Sequence, residues 1–136
     1  MKSTILSIAV FLLALVQMQA QSDTAKLLVY DFHITHRCAT CQKIEETTVE
    51  TLNNYYKAQL DSGIIVFKTF NCELEENAEL VKKYSAYGST LVLTRLWPDG
   101  KEVIVDITDI AFSKIGKPEL FVEKLREKID ELMMLQ

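Results

Sequence analysis

Cys38 and Cys41, two cysteines separated by two residues, are the residues of this 136-residue chain whose type and spacing most clearly favour chemistry. A disulfide between them would close a very short ring, which adds little loop entropy to stability. A third cysteine, Cys72, stands alone in the sequence. The pair is therefore interpreted as a redox or metal-binding motif, and not as a reinforcement of the fold.

The residues around the pair indicate which sulfur would react first. Cys38 is predicted to begin a helix, where unpaired backbone N–H groups and the positive end of the helix dipole stabilise a thiolate. Arg37 adds a permanent positive charge beside it and His36 a titratable one, and both favour the thiolate. Cys41 would lie about one turn further into the helix, beyond the substrate-facing Thr40. We predict that Cys38 attacks a partner disulfide and that Cys41 then displaces the reduced partner.

The elements needed to position the pair follow one another in an order typical of a three-layer α/β sandwich. Apolar runs rich in β-formers predict four strands, and the helical spacing of apolar residues predicts three helices. The strands are predicted at residues 27–33, 64–70, 90–96 and 102–107, and the helices at 38–60, 78–84 and from Pro118 onwards, with Phe121, Leu125, Ile129 and Leu132 as a buried stripe. This order predicts one domain over residues 27–136, with a mixed central sheet of about four strands flanked by helices on both faces.

Several segments in this order resemble those of thioredoxins. They are Asp31-Phe32, the cysteine pair that opens a helix, and residues 77–84, 90–93 and 99–101. The chain is more closely similar to a small family of exported bacterial thioredoxin-like proteins named after a subunit of a nitrophenyl-compound nitroreductase, on Val29-Tyr30, Phe32-His33, residues 37–41 and Ile44-Glu45. The resemblance implies a thioredoxin-like fold and a redox-active cysteine pair. The family name implies a role beside a reductase of nitroaromatic compounds.

The chain departs from the thioredoxin pattern on the side that faces the cysteines. Gly88-Ser89-Thr90 stands where thioredoxins have Ile-Pro-Thr with a cis proline. A cis bond without proline costs about 3 kcal/mol, so we predict a trans bond at Ser89 and a more open face opposite Cys38. By resemblance, Asp31 is a candidate for the buried proton acceptor that thioredoxins place behind the second cysteine. A solvent-exposed or strand-edge aspartate is the equal alternative.

Two other interpretations of the pair stay open. Without the proline, Cys38, Cys41 and His36 could hold zinc or copper in a non-catalytic metal-binding or redox accessory subunit, with His33 or Cys72 as a further ligand. Alternatively, the pair is an inert surface disulfide in an interaction domain. His33 is more often a structural histidine, and Cys72 is more often a small buried apolar residue. The spacing lacks a second paired ligand motif, so disulfide exchange is the preferred hypothesis.

The first twenty residues have the pattern of a secretory signal peptide. Lys2 precedes an apolar run at residues 5–16, and a polar stretch leads to Ala20. The run has twelve residues, whereas a helix needs about 20 to cross a bilayer, so we predict a signal peptide over residues 1–20 that is removed. An uncleaved anchor or a buried N-terminal helix is the alternative. Export predicts a periplasmic or secreted protein with no stable membrane insertion, in a compartment where disulfides persist.

Composition and charge exclude several classes of function. With 49% hydrophobic and 25% charged residues, the chain is typical of globular and not of disordered proteins. Its net charge is −4, and it has no basic cluster for nucleic acid or an anionic membrane. The sequence contains no phosphate-binding loop or cofactor fingerprint, so no cofactor is predicted. The expected partner is a protein disulfide substrate or a dedicated redox partner.

Overall fold

The structure, a computed structural model, describes residues 26–136. Four strands in this part of the chain form a mixed sheet: β1 (Lys26–His33), β2 (Ile65–Asn71), β3 (Thr90–Leu96) and β4 (Glu102–Asp106). The order across the sheet is β2-β1-β3-β4, with β1 and β2 parallel and the other two pairs antiparallel. The predicted signal peptide, residues 1–20, lies outside the described residues.

Helices cover both faces of this sheet. They are α1 (Ala39–Tyr55), α2 (Lys57–Asp61), α3 (Ala78–Tyr84), α4 (Thr108–Lys114) and α5 (Pro118–Met134), with a short 3₁₀ turn at Glu75–Asn77. Buried residues of α1, α4 and α5 share one core cluster with the sheet, and those of α3 belong to a second cluster. The predicted fold class, a thioredoxin-like α/β sandwich with a mixed four-stranded sheet, is thereby confirmed. Within residues 26–136, no helix is long and apolar enough to span a bilayer.

Alternation along β1 decides which side chains reach each cluster. Leu27 and Val29 belong to the larger cluster, whereas Phe32 belongs to the second, where its ring lies 5.3 Å from that of Phe70. Asp31 has the same parity as Leu27 and Val29, because side chains two residues apart in a strand share a face. It therefore lies near the carboxyl end of β1 on the face covered by α1, and it is buried.

The helix predicted over residues 38–60 is interrupted at Tyr56, so the prediction is wrong only in making the helix continuous. α1 ends at Tyr55, and Tyr56 leaves helical geometry (φ −131°, ψ 24°) before α2 begins. The Tyr56 side chain is buried, and its hydroxyl donates a 2.6 Å hydrogen bond to Asp130 in α5. Contact with α5 therefore replaces helix continuation at this residue, which the local periodicity could not reveal.

The sequence did not predict helix α4, between β4 and α5. Thr108 fixes its start, because its N–H donates to Asp106 (2.8 Å) and its hydroxyl accepts from the Leu91 N–H (2.9 Å). Ala111 of α4 is fully buried in the larger cluster, and Phe112 is partly exposed beside it. This helix thus brings an aromatic side chain to the end of the sheet at which α1 begins.

The remaining elements agree closely with the sequence. α3 and β3 have the predicted bounds, and the predicted stripe of α5 is buried. α3 ends where Ser85 adopts a left-handed conformation (φ 52°), three residues before the Gly88 expected to end that region. The β3–β4 hairpin turns at Gly100, whose φ of 87° favours a residue without a Cβ.

Candidate functional site

Cys38 and Cys41 are joined by a disulfide at the start of α1. Cys38 is the N-cap residue, with extended backbone angles (φ −77°, ψ 155°), and its sulfur accepts the Cys41 N–H at 3.1 Å. The Cys38 carbonyl accepts the Gln42 N–H, which closes the first helical turn. The side chain of Cys38 therefore takes the place that an oxygen usually fills at a helix start, where amide groups favour negative charge.

The two cysteines differ in exposure in the predicted direction. Cys38 is exposed on the surface, whereas Cys41 is only 8% exposed and belongs to the buried face of α1. Thr40, between them, is exposed. Cys38 is therefore the accessible residue of the pair, and Cys41 is largely covered.

Asp31 is buried behind the pair, so the structure selects the buried one of the two alternatives. Asp31 is 5% exposed, and it lines a small cleft together with Cys41, Ser89 and Phe112. Burial raises the pKa of Asp31 to about 7, and the nearby Glu45 carboxylate raises it as well, whereas Arg37 opposes the shift. A carboxyl with this pKa can both accept and return a proton near neutral pH.

The guanidinium of Arg37 contacts two acidic side chains, whereas the sequence predicts that its charge acts on Cys38. Its Nη2 lies 3.3 Å from Asp31 Oδ2 and also forms an ion pair with Glu45 Oε2. All three side chains are less than one third exposed. The positive charge of Arg37 therefore mainly balances the negative charge of the acidic groups near Cys41.

Sequence reasoning missed Glu45 as a member of this site. Glu45 follows Cys41 by four residues, which places both on one face of α1. That spacing was the available signal, and it would have pointed to a second carboxylate near the buried sulfur. Phe112 could not have been found in this way, because helix α4 itself was not predicted.

The loop from β1 to Cys38 is fastened to the end of β2. The Thr35 N–H donates to Glu73 Oε2 (2.8 Å), and the Asn71 side-chain amide donates to Thr35 Oγ1 (3.0 Å). The hydrogen bond from Thr35 lowers the pKa of Glu73, and the charge of His36 acts in the same direction. His36 lies in the loop that precedes Cys38, and its side chain is exposed to solvent.

Ser89 lies beside the buried cysteine of the pair. Its hydroxyl donates to Cys41 Sγ at 3.3 Å, and the residue immediately precedes β3. No cis peptide bond occurs in residues 26–136, which confirms the predicted trans bond at Ser89. The more buried sulfur therefore receives a side-chain donor, while the exposed one receives a backbone donor.

The other sequence candidates lie apart from this arrangement. Cys72 follows β2 and packs, partly buried, against the cluster of Phe32 and Tyr84, and burial raises the pKa of its thiol. His33 Nδ1 donates to the Ile34 carbonyl at 3.0 Å, as expected for a structural histidine. In the described part of the chain, no three His, Cys, Asp or Glu residues form a group that could hold a metal ion.

Fold and site together define a class: a thioredoxin-like α/β sandwich that carries a Cys-x-x-Cys disulfide at the start of a helix. No protein-family model matches the chain, and no curated protein matches its sequence. The likeness to the exported family named after a nitroreductase subunit therefore stays a prediction from the residues quoted above.

Proposed function

We propose that this protein is a thiol–disulfide oxidoreductase of thioredoxin type, in which Cys38 exchanges with a partner and Cys41 completes the reaction. One observation carries the proposal: the Cys38 sulfur caps α1 and accepts the Cys41 N–H at 3.1 Å. A sulfur in this position is stabilised as a thiolate, which is the nucleophile of disulfide exchange. Its exposure leaves it open to attack a protein partner.

The proposed reduction of a partner disulfide has two steps. The Cys38 thiolate attacks one partner sulfur, a mixed disulfide forms, and the other partner sulfur leaves with the electron pair and takes up a proton. Cys41 then loses its proton, attacks Cys38 Sγ and displaces the first partner sulfur as a thiolate. The partner has gained two electrons, and Cys38 and Cys41 are again joined.

Asp31 is the proposed proton acceptor for the second step. It lines the same cleft as Cys41, and burial raises its pKa to about 7. A base with a pKa near the working pH combines availability with sufficient driving force. In the reverse direction, the same carboxyl returns a proton to Cys41 after the disulfide opens.

The favoured direction depends on how strongly the reduced form is stabilised. A stabilised thiolate on Cys38 makes the disulfide a stronger oxidant, because it lowers the free energy of the reduced state. Equilibration of the Cys38–Cys41 pair with glutathione buffers of known composition measures this balance. A potential above that of the partner marks the protein as an oxidant, and one below it marks a reductant.

We also propose that the protein acts after export, on protein disulfides or on a dedicated redox partner. The charged, apolar and then polar order of residues 1–20 supports export, and an oxidising compartment would keep the pair competent for exchange. N-terminal sequencing of protein recovered from the periplasm or medium tests this, with cleavage expected after Ala20. Recovery of an uncut chain in the cytoplasm would contradict it.

Trapping tests the exchange chemistry directly. In Cys41→Ser, the second step is blocked, so covalent complexes through Cys38 should accumulate in an extract of the native compartment. Non-reducing gels and mass spectrometry detect these complexes, and a reducing agent should separate them by cleaving the mixed disulfide. Cys38→Ser is the matched control and should form none.

Cys72→Ser provides a second control, because Cys72 lies apart from the pair in the aromatic cluster. This variant should turn over a model disulfide at the wild-type rate. Exchange that survives in Cys38→Ser, or that disappears in Cys72→Ser, would contradict the assignment of Cys38 as the attacking sulfur.

A further inference from the structure

The hydroxyl of Ser89 lies 3.3 Å from Cys41 Sγ, in the orientation of a donor. A sulfur that shares a disulfide bond is a weak acceptor, so this contact contributes little while the disulfide is closed. A thiolate is a much stronger acceptor, because hydrogen bonds to ionised groups are about twice as strong as neutral ones. The contact therefore matters most when Cys41 carries charge.

The neighbours of Ser89 hold its backbone in place. The Thr90 hydroxyl donates to the Gly88 carbonyl at 3.0 Å, and the Leu91 N–H donates to Thr108 Oγ1 at 2.9 Å. Ser89 is itself partly buried, and Cys41 is 8% exposed. A donor already oriented in a site with little water needs no reorganisation when charge develops.

The surroundings of Cys41 otherwise disfavour an anion. Its own N–H is directed to Cys38 Sγ, so that amide supports the other sulfur. Asp31 lines the same cleft, and Glu45 lies on the same helix face and forms an ion pair with Arg37. Arg37 balances the carboxylates, so a neutral donor on the β3 side is what a Cys41 thiolate requires.

We propose that Ser89 is a further catalytic residue, whose hydroxyl stabilises the thiolate that forms on Cys41 when a partner thiolate opens the disulfide. The proposal rests on the exchange function above and adds a role for the residue that replaces proline. The partner sulfur bonds to Cys38 Sγ, and the bond between Cys38 and Cys41 breaks. The electron pair stays on Cys41 Sγ, which accepts the Ser89 hydrogen bond and then takes a proton from Asp31 or water.

The test measures ionisation of Cys41 without using exchange. In reduced Cys38→Ser protein, the alkylation rate of Cys41 is followed against pH by mass spectrometry. Adding Ser89→Ala should raise the pH of half-ionisation by about one unit, which is about a tenfold smaller thiolate fraction at neutral pH. An unchanged midpoint would overturn the proposal.

A matched pair of variants separates the hydroxyl from the shape of the side chain. Ser89→Thr keeps the hydroxyl, so the pH of half-ionisation of Cys41 should stay at the value found with Ser89. Ser89→Val has nearly the same shape as Ser89→Thr but no hydroxyl, so its midpoint should rise as in Ser89→Ala. This pair decides the question even if Ser89→Ala folds poorly. Equal midpoints in the two variants would overturn the proposal.

A final control distinguishes charge stabilisation from general loosening. In reduced Cys41→Ser protein, Ser89→Val should leave the midpoint of Cys38 unchanged, because Cys38 is supported by the start of the helix. An equal shift of both cysteines would assign Ser89 a structural role and overturn the proposal. None of these readouts requires a partner, so a failure of the exchange function would be seen separately in the trapping experiment.

Discussion

The two sulfur atoms of the disulfide lie in different surroundings, although only two residues separate them. Cys38 is exposed, and its donor is a backbone N–H in the first turn of α1. Cys41 is buried, and its neighbours are the side chains of Ser89 and Asp31. The main chain thus supports the sulfur of the exposed cysteine, and the Ser89 hydroxyl, just before β3, supports that of the buried one.

This difference indicates which half of the chemistry is tied to the fold. Any sequence that starts a helix at Cys38 supplies its amide donors, so substitution cannot remove them without removing the helix start. The environment of Cys41 depends on individual side chains, which substitution can change one at a time. Variants near Cys41 should therefore alter rate and pH dependence while leaving the fold intact.

The largest effect is expected in the alkylation rates of the two thiols. In the reduced protein at pH 7, iodoacetamide should modify Cys38 about 100-fold faster than Cys41, because both thiolate fraction and access favour Cys38. Timed quenching and peptide mass spectrometry give both rates in one sample. Equal rates would remove the basis of the comparison. Partly buried Cys72 provides an internal reference.

Stability should depend on pH through Asp31. Because its pKa is raised from 3.8 to about 7, the folded protein keeps this proton between pH 4 and 7 while the unfolded chain releases it. Stability therefore falls as pH rises through this range. Asp31→Asn should raise the free energy of unfolding at pH 8 by about 2 kcal/mol or more, and by nearly nothing at pH 4. Urea titrations at the two pH values measure the difference, and a variant less stable at pH 8 would contradict it.

The same substitution should slow the second chemical step. With Asp31→Asn, release of a coloured aromatic thiol from a mixed disulfide on Cys38 should slow about tenfold at neutral pH. This is less than the 100-fold or more typical of general bases, because a thiol ionises partly on its own. Stopped-flow absorbance measures the release. Formation of the mixed disulfide should be much less affected, and equal slowing of both steps would contradict the assignment to Cys41.

Two charge substitutions should move the pKa of Asp31 in opposite directions. Arg37→Gln removes the opposing cation and should raise it by about one unit, whereas Glu45→Gln removes a carboxylate and should lower it by about the same amount. The carbon resonance of the Asp31 carboxyl reports the midpoint in each variant. Shifts in the same direction would mean that the ion pairs of Arg37 do not control this carboxyl.

The smallest effect is expected on the side of Cys38. Glu73→Ala removes the acceptor of the Thr35 N–H and should speed hydrogen exchange at that amide, while disulfide exchange falls by only about twofold. Glu73→Gln keeps an acceptor oxygen and serves as the control. If the rate of disulfide exchange fell as much as in Asp31→Asn, the loop, and not the helix start, would govern the reactivity of Cys38.

Local signals were sufficient to predict the frame of the site. Strand β3 and helix α3 have strong periodicity and clear end signals, and the stripe of Phe121, Leu125 and Ile129 marks the buried face of α5. The placement of Cys38 at a helix start follows from the same reasoning. These features depend on neighbours within a few residues, which a single sequence contains.

The partners of the side chains could not be predicted in the same way. Arg37 adjoins Cys38 in sequence, but its long side chain reaches Asp31 and Glu45, because two carboxylates in a poorly hydrated place attract a cation more strongly than an exposed sulfur does. The burial of Asp31 depends on α1 covering β1. The break at Tyr56 depends on Asp130, which is 74 residues further along the chain.

The fastening of the loop before Cys38 affects how partners can recognise the protein. Thr35 is bonded to Glu73, and Arg37 is bonded to Asp31 and Glu45, so both ends of this short segment are anchored. We therefore expect the disulfide to open by rotation of the two cysteine side chains, with little movement of the backbone. The molecule should present nearly the same outline before and after it gains electrons. For the proposed exchange, we therefore expect a partner to distinguish the two forms by charge on the sulfur and not by the shape of the surface.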